Sequence, residues 1–262
     1  MASERAPDHA FFGVLALLFV ASAALTTHWC VSMSAMRGMA MPGGWTMSMM
    51  WMRMSGQTWF SAAAIFLGMW VVMMVAMMLP SLFPTLLRYQ RQVRETDVPH
   101  AELRTMLAGT SYFLVWAVLG LAAYAVGAVI TTAEMRLFAL ARLVPIATGM
   151  VLLLAGCFQL TRWKASLLTR CRDDQACSLH VGVGAGSACR QGIRWGVDCS
   201  LCCAGFMVIL LVTGVMNLAS MTMLAAAIAV ERIVPWPERV AQIAGILIIG
   251  IGTRMIVRTL AG

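Results

Sequence analysis

An all-α, polytopic transmembrane bundle of six or seven spans is the fold class this sequence predicts, and three observations predict it. Hydrophobic residues make up 61% of the 262 positions and charged residues 11%, too little polar surface to coat a soluble globule. The mean hydropathy is +0.83. Several uncharged runs reach the ~20 apolar residues that a helix needs to cross a bilayer. A soluble enzyme, a disordered tail and a nucleic-acid binder are excluded as primary readings. The formal charge of +8 does not reverse this, because the basic residues fall between apolar runs instead of gathering in one stripe.

The first span is expected from Phe11 to Val31, with Arg5 before it and Trp29 anchoring its far end. No small-residue cleavage pattern follows it, so the N-terminus is expected to stay attached. A methionine-laden segment leads to the second span, Trp59 to Leu82, which Pro80 and Pro84 are expected to end. Arg88, Arg91, Arg94 and Arg104 fill a connector before the third span, Met106 to Ile130. The fourth runs from Pro145 to Leu160, and a polar, cysteine-bearing loop is expected over 161–195. Between Asp198 and Glu231 lie 32 uncharged residues. As one helix these would be about 48 Å long, too much for one crossing of a ~30 Å core, so the run is split near Asn217 to Ser220. The last span is Val240 to Val257, with Arg254 and Arg258 snorkelling to the interface.

With seven spans, the excess of arginine on alternate connectors puts the N-terminus in the cytoplasm, the methionine segment outside and the cysteine loop inside. If residues 218–234 do not cross, the count is six and the C-terminus moves inside. The chain then divides into 1–58, a first span with a methionine-rich extracytoplasmic loop, and 59–262, a metal-binding membrane domain.

Sulfur is the chemistry on offer. Nine of the 23 methionines fall between Met33 and Met54, among glycines and a proline that argue against one continuous helix. Thioethers are soft, carry no titratable proton, and favour Cu(I). The plain alternative is an apolar loop lying on the bilayer, anchored by Trp45, Trp51 and Trp59. The second span repeats the theme, with Met69, Met73 and Met77 at i, i+4 spacing and Met74 and Met78 one residue round. Alone, this stripe reads as packing, since methionine fills gaps well.

The stretch DCSLCC changes that balance. Cys199 and Cys202 form a CxxC pair able to hold one soft ion, and Cys203 adds a third sulfur. In the assigned topology this end of the fifth span shares its membrane depth with Met73, Met74, Met77 and Met78, so the two motifs are expected to converge. Cys171 is a candidate fourth ligand, whereas Cys177 and Cys189 have no assigned role. At the outer end of the first span, His28, Cys30, Met33 and Met36 form a candidate capture site with mixed nitrogen and sulfur donors. Asp198 beside Arg194 and the pair Glu231–Arg232 read as helix-end charges. No Walker loop, dinucleotide fingerprint, HExxH or Gly-x-Ser-x-Gly motif occurs, which argues against an ATP-driven pump and leaves no established catalytic motif.

Four segments carry a resemblance: Met69 to Ser81, QLTRWK with Cys171 after it, Asp198 to Met207, and Gly214 to Met221. Together, over residues 59–258, they resemble a bacterial family of predicted metal-binding integral membrane proteins. The resemblance implies metal held between a methionine-rich second span and a cysteine-rich fifth span. This chain departs from the family at Val71, Arg162, Asp198 and Leu201, where a tryptophan, a proline, an aromatic residue and a glycine are usual, and the thiols are intact.

The expectation is therefore an inner-membrane protein that binds copper, as Cu(I), and captures, buffers or delivers it. Its partners are the lipid bilayer and a copper chaperone or copper enzyme, with no nucleic acid. A membrane oxidoreductase or oxidase subunit and a non-catalytic scaffold subunit are the alternatives.

Overall fold

The computed structural model describes residues 5–35, 39–41, 45–47, 51, 56–95, 100–176 and 184–261. Within them the chain is helical apart from one small hairpin: α1 (Arg5–Ala35), β1 (Met39–Met41), β2 (Trp45–Met47), α2 (Trp59–Glu95), α3 (Ala101–Arg136), α4 (Phe138–Gln159), α5 (Arg162–Ala176), α6 (Ala185–Thr213), α7 (Leu218–Ile233) and α8 (Pro237–Ala261). The two strands pair antiparallel, Met39 opposite Met47. The methionine segment thus starts from a hairpin just beyond α1, while Met36, Met49, Met50, Met52 and Met54 lie outside the described residues.

Among the described residues, five helices, α1, α2, α3, α6 and α8, are long and apolar enough to cross a membrane. A sixth span results if α4 and α5, bent by 66° at a short break, count as one. This matches the lower of the two expected counts. The run expected to supply a seventh is α7, only 16 residues long. The outward faces of the helices are apolar, with Leu17, Leu114, Val129, Leu154, Ile243 and Leu247 all exposed. A bundle with such a surface needs apolar surroundings.

Two expected boundaries move. Pro80 and Pro84 lie inside α2, which continues to Glu95. The residues beyond them bury Leu82, Leu86, Tyr89 and Val93, a face at i, i+4, i+7 and i+11, so core packing holds the helix through the missing N–H groups. The expected loop over 161–195 is largely α5 and the first third of α6. Ala188, Gly192 and Trp195 form a buried face there. A side chain at Gly192 would run into the carbonyl of Ala108, and one at Gly196 would stand 2.9 Å from the Val115 side chain. Those glycines are where α6 crosses α3, not where the helix breaks.

The pair α4–α8 is built the same way. A side chain on Gly245 would meet the Gly156 carbonyl at 2.9 Å, and one on Gly252 the Gly149 carbonyl at 3.0 Å. Both pairs are seven residues apart on their helices, so one seam zips together. On the other side, Phe12 meets Phe83 edge-on at 5.2 Å. The start of α1 therefore lies beside the second half of α2, and the end of α1 faces the beginning of α2. Trp70 stacks on Phe66 and donates its Nε1–H to the Trp116 carbonyl at 2.9 Å, locking α2 to α3 beside the methionine stripe.

Candidate metal centre

Cys199, Cys202 and Cys203 stand at i, i+3 and i+4 on α6, so one helix face carries all three thiols into the core. They are 1%, 2% and 2% exposed. On α2, Met73, Met74, Met77 and Met78 are buried in the same core, and the Cys199 thiol touches Met78 Sδ at 4.0 Å. The expected meeting of the second span with the cysteine helix is therefore present, through Met78. Cys171, from α5, is buried beside them and within hydrogen-bonding reach of Cys202. Cys199 and Cys203 interact one turn apart. The sulfurs run as a line along α6, flanked by α2 and α5.

A guanidinium lies among the sulfurs. Arg232 Nη2, from the last turn of α7, is 2.8 Å from Cys199 Sγ, 3.4 Å from Cys171 Sγ and 3.8 Å from Cys203 Sγ. Its Nη1 donates to Ser81 Oγ at 3.2 Å. Tyr112, fully buried on α3, donates its hydroxyl to Cys199 Sγ at 2.9 Å. Among the described residues, no three His, Cys, Asp or Glu side chains are disposed to hold a metal ion. The physical reason is at hand: the thiols follow a helix line rather than surrounding a point, and Arg232 occupies the space towards which three of them face.

Beneath the thiols, Lys164 and Glu231 pair at 3.0 Å with side chains only 1% and 3% exposed. Lys164 Nζ also donates to the Cys202 carbonyl at 2.6 Å, and Gln159 Nε2 donates to Glu231 Oε1 at 3.3 Å. Each charge of this pair has a partner, as burial demands. A cavity of about 10 Å³ opens against Leu82, Thr85, Cys171, Trp195, Asp198, Cys199 and Arg232. Asp198 also lines a larger, open pocket of about 390 Å³ with Arg170, Arg194 and Val197, so it stands between the centre and the outside.

The match of this chain to known sequences covers the whole centre: the sequence model of the PpoB2 family, described as a copper chaperone, fits residues 67–255. The chain belongs to the PpoB2 copper-chaperone family. It therefore handles copper, and the sulfur-lined core is chemically suited to such a cargo. No curated protein and no solved structure matches the chain.

Within this PpoB2 chain the remaining expected ligands divide. Cys30 is buried, but its neighbours are Met216 and Met221 rather than His28, which is exposed. Positions two apart on a helix point apart, and that separates His28 from Cys30. Met33 is partly buried against the core, and Met36 lies outside the described residues. Cys157 is exposed and Cys189 half-buried. Sequence reasoning missed Tyr112, Lys164 and the separate fates of Glu231 and Arg232. One signal was available, since Lys164 is the single lysine among 19 basic residues.

Proposed function

We propose that this chain is an integral membrane chaperone for Cu(I) in a bacterial inner membrane, with its N-terminus in the cytoplasm, and that it passes copper to a copper enzyme or a second carrier. The observation that carries this reading is the contact of Cys199 with Met78, Tyr112 and Arg232 in one buried cluster. Sulfur donors alone suit a soft monovalent ion.

Charge selects the oxidation state. Two thiolates with Cu(I) carry −1, and the Arg232 cation beside them brings the cluster to zero. A divalent ion in the same place would leave +1 unbalanced in apolar surroundings, which is costly. Binding then proceeds as the Cys199 and Cys203 thiols release their protons to solvent and take the ion in exchange, while the guanidinium turns aside to admit it and stays beside the thiolates. Cys199 and Cys203 are the principal ligands, Met78 the thioether, and Cys171 with Cys202 the next sulfurs along the exchange path. The methionines between Met33 and Met54 collect the ion, and the cargo moves by ligand exchange without an energy source in this chain.

The test is Cu(I) competition against a chromophoric chelator under anaerobic conditions, with the full chain in detergent. Wild type is expected to hold copper in a sulfur-only shell by X-ray absorption, and Cys199→Ser to lose at least about tenfold in affinity, about 1.4 kcal/mol. Equal Cu(I) affinity in wild type and Cys199→Ser would sink the reading.

A further inference from the structure

Seventeen residues along the chain from Cys199, at the far end of α6, three other sulfurs meet. Cys30, near the end of α1, is 2% exposed, and its Sγ lies 3.9 Å from Met216 Sδ and 3.9 Å from Met221 Sδ. Met221 is itself 4% exposed. The three come from separate elements: α1, the break between α6 and α7, and the start of α7.

The break that presents Met216 is a built turn. Gly214 has φ of 104°, a conformation that side-chain-bearing residues rarely adopt. The Asn217 N–H donates to the Gly214 carbonyl at 3.0 Å, and Asn217 Oδ1 caps α7 by accepting from the Ser220 N–H at 3.1 Å. The turn thereby holds Met216 against Cys30, and the first turn of α7 does the same for Met221.

Geometry and charge both suit a metal ion. Three sulfurs in a plane around a metal, at bonds of about 2.3 Å, stand about 4.0 Å from one another, close to the two spacings found. Binding exchanges the thiol proton, released to solvent, for the metal. One thiolate and one monovalent cation sum to zero, and the two thioethers add no charge. A divalent ion would leave a net charge in an apolar setting.

We propose that Cys30, Met216 and Met221 form a second site for a soft monovalent cation, a thiol with two thioethers, beyond the far end of α6, which rises about 21 Å from Cys199 to Thr213. The proposal rests on the copper reading for the identity of the cargo, but not for its ligands. Cys30 also lies outside the stretch of the family match.

The experiment loads the full chain in detergent, anaerobically, with Ag(I) as a redox-inert probe and with Cu(I), and counts bound metal. Met216→Leu with Met221→Leu keeps the packing volume, and Cys199→Ser with Cys203→Ser disables the other cluster. The first double variant is expected to lose one equivalent. The second is expected to retain one, and its Cu(I) absorption spectrum to show three sulfur neighbours. Full wild-type stoichiometry in the first variant, or no three-sulfur shell in the second, overturns the proposal. The second readout decides even if the first variant misfolds. If the second variant keeps all its metal while the first loses one equivalent, the thiol-cluster reading fails and this site stands.

Discussion

A guanidinium stays charged at every pH a folded protein tolerates, so Arg232 imposes a fixed positive charge 2.8 Å from Cys199 Sγ. Hydrogen bonds to a charged group are worth about 1.5–3 kcal/mol, roughly one to two powers of ten in an equilibrium. Arg232→Gln keeps donors in place but removes the charge. It is expected to weaken Cu(I) binding by about tenfold to a hundredfold in chelator competition, and Arg232→Lys by less. An affinity within twofold of wild type for Arg232→Gln would show that the guanidinium only fills space. Tyr112 acts on the same sulfur through a neutral hydroxyl 2.9 Å away, so its effect should be smaller than that of Arg232.

At the scale of elements, the bundle depends on close approaches at small residues. Gly192 lies against the Ala108 backbone where α6 crosses α3, and α6 carries the thiols. Gly192→Leu is expected to force these helices apart, at the upper end of the roughly 1–3 kcal/mol that overpacking costs, or beyond. Thermal unfolding in detergent measures this, and a melting temperature within a degree of wild type would contradict the crossing. The helical character, the sulfur stripe and the Met78–Cys199 meeting were legible from hydropathy and spacing, because both are one-dimensional patterns. The helices over 161–195 were not, since glycine and arginine look alike in a loop and on a tightly packed helix face. Nor was the continuation of α2 past Pro80 and Pro84, where buried Leu82, Leu86, Tyr89 and Val93 outweigh two missing donors. Partners that no repeated motif announces were hidden: Cys30 finds Met216 and Met221 more than 180 residues away.

For the whole molecule, the buried pair Lys164–Glu231 ties α5 to α7, and the Lys164–Cys202 carbonyl contact adds α6. Removing one member strands a charge, so Lys164→Met is expected to cost about 3–5 kcal/mol. Lys164→Met with Glu231→Leu should recover most of that, because no unpaired charge remains. Chemical denaturation of the three proteins measures the difference, and a double variant less stable than Lys164→Met alone would refute the account. The space next to the thiols amounts to about 10 Å³. That is about the room one water molecule takes. An ion settling beside these thiols keeps almost none of its water, so ease of dehydration separates soft monovalent ions from hard, tightly hydrated ones.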